Sequence, residues 1–177
     1  MLAFDLETTG LSFERDEIMC ASAYDPDRGL ARAFLFARGD SPEEFMRLLD
    51  GADRLCCFNG VRFDIPFICA RWRPAPERVE AWRRKSHDVY EACRLCLGVT
   101  FSLNALLLLN GLEAKTGSGQ NAVELARSGE LDALGAYCLA DARLTHAVSS
   151  LPRIRLPKAE GLAMTPLGAF CRPRPGE

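Results

Sequence analysis

The opening run MLAFDLETTG places two carboxylates, Asp5 and Glu7, one residue apart inside an otherwise apolar stretch. A strand alternates its side chains between two faces, so both acids point to one side and Leu6 to the other. Two like charges held side by side repel, and a fold that keeps them has to answer them with solvent or with a cation. The first strand must therefore combine a core face with an acidic end that opens onto a cleft.

Segments 2–6, 18–24 and 30–36 read as three strands joined by turn material, TTGLSFERDE and then the short DPDRG, which suggests a meander. In DSPEEFMRLL, Ser41 and Glu44 form a capping box and Pro42 takes the first helical position, so a helix follows. A fourth apolar strand, RLCCFN, runs into Gly60. From residue 63 onward apolar residues recur at helical spacing over 64–71, 86–97, 102–110, 120–128 and 131–149. This order predicts an α/β domain: a mixed sheet, three strands antiparallel and then parallel, flanked by helices, with the first strand central. Functional groups in such sheets collect at the carboxyl ends of central strands, where Asp5 and Glu7 stand. Residues 151–177, with five prolines, read as an extended basic strap ending in a loose tail.

A chain of 177 residues, 48% hydrophobic and 26% charged, matches one globular domain able to bury its own core. No apolar run approaches the roughly 18 residues that span a membrane, and no secretory leader is evident at the start. Most of the eight cysteines sit in apolar segments, which points to buried reduced thiols and a reducing intracellular compartment. Cys93 and Cys96 have metal-type spacing, but without a second pair or a histidine cluster a core helix explains them. The basic stretch 71–85, with Trp72 and Trp82, admits two readings: a surface that holds phosphates and stacks bases, or a solvated loop and helix face.

Further acids are sought to complete a site for a hard cation, which takes several oxygen ligands converging from separate elements. In FNGVRFDIPF, Asp64 lies among apolar neighbours, where an unpaired carboxylate is costly to bury; capping the helix begun near Pro66 is the alternative. Asn59 is either a turn residue or a polar arm into the same cleft. In YCLADARLT, Tyr137 and Asp141 are four residues apart on a helix, so hydroxyl and carboxylate share a face. A tyrosine in that position is also compatible with ordinary core packing.

FDLETTG, FNGVRFD and YCLADARLT, in this order and separation, resemble the three motifs of the DEDD superfamily of 3'-5' exonucleases, in the tyrosine-bearing (DEDDy) branch. The histidine-bearing branch would place histidine where this chain has Ala136. The resemblance covers residues 1 to about 150 and implies a ribonuclease-H-like exonuclease domain. It also implies that Asp5, Glu7, Asp64 and Asp141 bind two Mg²⁺ or Mn²⁺ ions and that Tyr137 orients the attacking water. The expected reaction is hydrolysis of the terminal phosphodiester at the 3' end of single-stranded nucleic acid, DNA favoured, with release of nucleoside 5'-monophosphates.

Thr8, Thr9 and Leu11 are implied to contact the terminal nucleotide, and Asn59 and Phe63 the penultimate one; a turn built on Gly10 is the competing account of the first three. Lys115, in AKTGSGQ, precedes the glycines, the reverse of a phosphate-binding P-loop. An exoribonuclease with the same site, a non-catalytic nucleic-acid-binding scaffold, and a module docked to a larger polymerase or helicase assembly stand as alternatives.

Overall fold

Alternation along the first strand decides the layering. In the computed structural model, which describes residues 1–97, 100–114, 119–156 and 163–166, strand β1 (Leu2–Thr8) turns Leu2, Phe4 and Leu6 to one helical layer and Ala3 to the other. Strands β2 (Ile18–Asp25) and β3 (Leu30–Leu35) continue as an antiparallel meander, joined through a single 3₁₀ turn that ends on Gly29 at φ +63°. Helix α1 (Pro42–Gly51) starts at Ser41, whose hydroxyl accepts the Glu44 N–H, as the capping box predicts. Strand β4 (Leu55–Cys57) then returns parallel to β1. The sheet order is β3-β2-β1-β4-β5, with β1 in the middle and β5 (Ser86–Asp88) parallel to β4 at the far edge.

Helices α2 (Asp64–Trp72) and α3 (Pro76–Lys85) cover the Leu2/Phe4/Leu6 face together with α1. The opposite face carries α7 (Leu131–Ser149), which packs across β1, β2, β3 and β4. Small residues let it approach closely: a Cβ added at Gly135 would lie 3.3 Å from the Ala33 Cβ, and Ala142 packs on Ala3 and Cys56. Helices α4 (Val89–Leu97), α5 (Leu103–Leu109) and α6 (Gly119–Ser128) flank it.

Residues 76–97 differ from expectation. The helix predicted over 86–97 begins at Val89, because Ser86–Asp88 pair with β4 as a strand; a ladder to a buried neighbour overrides local periodicity. Residues 76–85 form a complete helix.

Part of the basic stretch is spent on contacts within the fold, while Arg73, Arg83 and Arg84 are exposed. Arg71 donates to the Asp16 carbonyl at 2.6 Å and pairs with Glu17, Arg78 pairs with Glu43 and Asp50, and Lys85 donates to the carbonyls of Asp50 and Ala52. Trp72 packs edge-on against Phe36 and Phe45, and Trp82 is fully buried with its indole N–H donating to Asp50. Trp82 offers no face for stacking a base, whereas Trp72 is half-buried. Trp82→Ala is expected to cost about 3–5 kcal/mol, the range for a large aromatic removed from a core, read as a lowered midpoint in denaturant unfolding.

Beyond α7, strand β6 (Arg153–Leu156) pairs antiparallel with β7 (Ala163–Pro166). Ile154 and Leu156 are buried with Val89, Leu106, Leu107 and Val148, and the Asn110 side chain exchanges two hydrogen bonds with the Arg155 backbone. The remainder of the strap (157–162 and 167–177) and Lys115 lie outside the described residues. Among the described residues Cys20, Cys56, Cys57, Cys69, Cys93 and Cys138 form no disulfide, and all but Cys69 are buried. Among the described residues no helix is long and apolar enough to cross a membrane.

Candidate nuclease-type active site

The same alternation that sends Leu2, Phe4 and Leu6 to one layer sends Ala3, Asp5 and Glu7 towards α7. The stripe of α7 facing them runs Gly135, Cys138, Asp141, Ala142 and Thr145, all buried. Cys138 lies over Asp5, its thiol 3.6 Å from the Asp5 carbonyl oxygen and 3.8 Å from Oδ2. Ligand atoms of Asp5, Glu7 and Cys138 all lie within 4.8 Å of one another. A register shift between Glu7 and Thr8 marks the end of the ladder with β2, a bulge beside the site.

Asp64 arrives from the other layer. Strand β4 is only three residues long and its register with β1 stops at Ala3, so the edge of β1 beyond that point lacks a strand partner. The Leu6 amide, between the two acids, hydrogen-bonds the Asp64 carboxylate instead. Asp64 is 5% exposed, and besides the Leu6 amide its carboxylate takes its own backbone N–H at the first residue of α2, whose N-cap is Phe63. Burial, and then the charge of Asp88, push its pKa up to about 7 against the Leu6 hydrogen bond.

The turn from β4 into α2 is tight. Asn59 holds φ +63°, a left-handed conformation that asparagine tolerates better than most residues. At Gly60 an added Cβ would lie 2.6 Å from the Cys57 Cβ and 3.3 Å from Asp64 Oδ2. Gly60→Ala is thus expected to destabilise the chain by about 1–3 kcal/mol through overpacking and to displace Asp64, lowering the melting temperature and any metal-dependent rate together.

These elements enclose a cleft of about 410 Å³ lined by Asp5, Glu7, Asp64 and Asp141, with Leu6, Phe58, Asn59, Phe63, Ser102, Leu103 and Asn104. Four acids from three distant stretches of chain thus border one space. Hard oxygen donors at this density suit a divalent cation of the Mg²⁺ or Mn²⁺ type. The adjacent Cys138 thiol is held far above its ordinary pKa by burial and by Cys20, so it is not a thiolate donor at neutral pH.

Other expected residues lie elsewhere. Tyr137 is half-buried on the neighbouring strip of α7, packed with Cys20, Leu35, Ala122 and Leu134, and is not in the lining of the cleft. Thr8 donates to the Gly10 carbonyl at 2.6 Å; the Thr9 hydroxyl donates to Asp16 and accepts the Glu17 N–H. Both hydroxyls therefore serve the loop that follows β1. Leu11, on that loop, is 80% exposed.

Sequence reasoning missed Phe58, Ser102, Leu103, Asn104, Cys138 and Asp88. Phe58 stacks edge-on with Tyr90 and Phe101, and Ser102 caps α5 by accepting the Ala105 N–H; only that capping serine was detectable from the pattern. Nothing local marks the others.

The sequence profile described as RNase_H superfamily matches residues 2–125. No curated protein matches. Among solved structures, the family B DNA polymerase of the hyperthermophilic archaeon Pyrobaculum calidifontis superposes with a TM-score of 0.67 at 18% identity over 84% of this chain. The chain spans about a quarter (24%) of that polymerase. A structure described as the apo form of a nuclease superposes with a TM-score of 0.59 at 22% identity, covering 83% of this chain and 68% of the other. E. coli Exonuclease I in complex with a dT13 oligonucleotide matches with a TM-score of 0.43 at 18% identity, over 85% of this chain and 39% of that one. At these identities the likeness concerns the fold: a ribonuclease-H-like α/β domain with a mixed five-stranded sheet flanked by helices.

Proposed function

We propose that this chain, which belongs to the RNase_H superfamily, is a divalent-metal-dependent 3'-5' exonuclease acting on single-stranded nucleic acid, DNA before RNA, and releasing nucleoside 5'-monophosphates. The observation that carries the reading is the convergence of Asp5, Glu7, Asp64 and Asp141 on one cleft. The DNA polymerase and the nuclease that share the fold agree with it in kind.

Asp5 and Glu7 would hold the cations from β1, Asp141 from α7 and Asp64 from the head of α2. Two Mg²⁺ or Mn²⁺ ions, when bound, supply the acidification of a water and the positive charge against the departing 3' oxygen. Tyr137, one helical turn before Asp141 but outside the lining of the cleft, would have to turn toward it to orient that water by hydrogen bonding, a role a phenol fills without acting as the base. Phe63 and Asn59, both in the lining, are assigned to the penultimate nucleotide. Of the residues after β1, Leu11 has the exposed side chain to act as a wedge against the terminal base, while Thr8 and Thr9 contribute the loop's shape and its amides. A 3' end delivered by a larger polymerase or helicase assembly would suit the same cleft.

The test is digestion of 3'- and 5'-labelled single-stranded DNA and RNA with Mg²⁺ or Mn²⁺, with a chelator control. A 5'-labelled DNA strand should shorten stepwise from its 3' end and stop shortening on chelation. Shortening from the 5' end, or none, overturns the proposal, and digestion confined to RNA reassigns the substrate.

A further inference from the structure

We propose that Asp88 is a positioning residue that holds the metal-ligating geometry of Asp64 and Asn59 without touching metal or substrate. The inference rests on the reading above in that Asp64 is taken as a ligand.

Asp88 ends β5 opposite Cys57 in the parallel ladder, and it is 7% exposed. Its two oxygens take three backbone donors: Oδ1 accepts the Asn59 N–H at 2.8 Å and the Glu91 N–H at 3.2 Å, and Oδ2 accepts the Val61 N–H at 3.0 Å. Two of these donors belong to the turn that carries β4 into α2. That turn is the one with Asn59 at φ +63°, Gly60 pressed on Cys57, and the Ile65 N–H closing onto the Gly60 carbonyl at 2.8 Å. Asp64 lies between these contacts, so the position of its carboxylate follows from the turn, and the turn follows from Asp88. Asp88 is absent from the lining of the cleft, so its effect passes through Asn59 and Asp64.

The residue type matters. A carboxylate presents two acceptor oxygens, whereas asparagine presents one and would turn an NH₂ donor against an N–H. Charge-assisted hydrogen bonds are about twice as strong as neutral ones, which suits a clamp that keeps a non-glycine residue left-handed. Placing a further anion beside an acid-rich cleft carries an electrostatic cost that cations in the cleft would offset.

The experiment titrates the full chain with Mn²⁺ by calorimetry, comparing wild type with Asp88→Asn and recording melting of both in chelator. Outer-shell partners of metal ligands typically contribute 10–100-fold in affinity, and a loss of about that size is expected for Asp88→Asn per folded molecule. Linkage gives a second measurement that needs no variant: if the clamp favours metal, bound metal must favour the clamp. Mg²⁺ should therefore slow hydrogen exchange of the Asn59 and Val61 amides in the wild-type chain, which decides the matter even if Asp88→Asn fails to fold. Equal Mn²⁺ affinity in a folded Asp88→Asn, or exchange at those amides unchanged by bound Mg²⁺, overturns this inference alone. A wild-type chain that takes no Mn²⁺ overturns the metal-site reading and this inference with it.

Discussion

Asp5→Asn is expected to lower hydrolysis of a 3'-ended oligonucleotide by more than about a hundredfold, beyond the 10–100-fold typical of a metal's outer-shell partners. In chelator the same variant should melt at the wild-type temperature or above it. Both expectations come from one arrangement. Asp5 and Glu7 project from the same face of β1 within 4.8 Å of each other and of the Cys138 sulfur, in a cleft that also receives Asp64 and Asp141. An amide keeps the shape and the contact with Cys138 but removes one of the repelling charges, which relieves the metal-free protein and deprives a cation of its ligand. The rise in melting temperature on adding Mg²⁺, expected for wild type by mass action, should accordingly be lost. Rates and melting curves with Mg²⁺ and with chelator check both halves; a variant as active as wild type removes Asp5 from the site.

The second large effect is a dependence of stability on pH that differs with and without metal. Asp64 is raised from 3.8 to about 7 by burial and by Asp88, in surroundings that also include Asp5, Glu7 and Asp141 across the cleft and the neutral Cys57 thiol behind it. Between these two values the folded chain keeps a proton on Asp64 that the unfolded chain has released. The folded state thus binds more protons, and stability in chelator falls as pH rises from about 4 to about 7. At about 1.4 kcal/mol per unit, the contribution is on the order of a few kcal/mol. A divalent cation competes with that proton, so the melting shift produced by Mg²⁺ should grow as pH passes 7. Asp64→Asn should flatten both trends and raise the melting temperature in chelator at pH 8. Melting series from pH 5 to 8, with and without Mg²⁺, decide it; a level wild-type series in chelator would remove the burial penalty assigned to Asp64.

Much of the architecture was legible because its signals are local. The alternating run of β1, the short turn between β2 and β3 and the Ser41 capping box each report on residues a few positions apart, and the structure has the predicted central first strand and antiparallel-then-parallel sheet. The helix expected over 86–97 went astray at its first three residues, where pairing with β4 competes with helical periodicity. The charge of 71–85 was visible in the sequence, but its use was not. Arg71, Arg78 and Lys85 are committed to Glu17, Glu43, Asp50 and backbone carbonyls that lie far away in the chain.

The candidate site divides in the same way. Sequence alone determined that Asp5 and Glu7 share one face of a strand and that Asp141 sits on a helix one turn after Tyr137, because both follow from the repeat of the element that carries them. The tertiary structure alone decided the rest. It set which strip of α7 meets β1, bringing Cys138 and Asp141 to the acids and leaving Tyr137 among Leu134 and Ala122. It joined Asp64 to Leu6, and recruited Asp88, thirty residues after the turn begins, to hold the backbone on which Asp64 rides. A repeat along one element fixes a side chain's direction, but only packing between elements fixes what that direction meets.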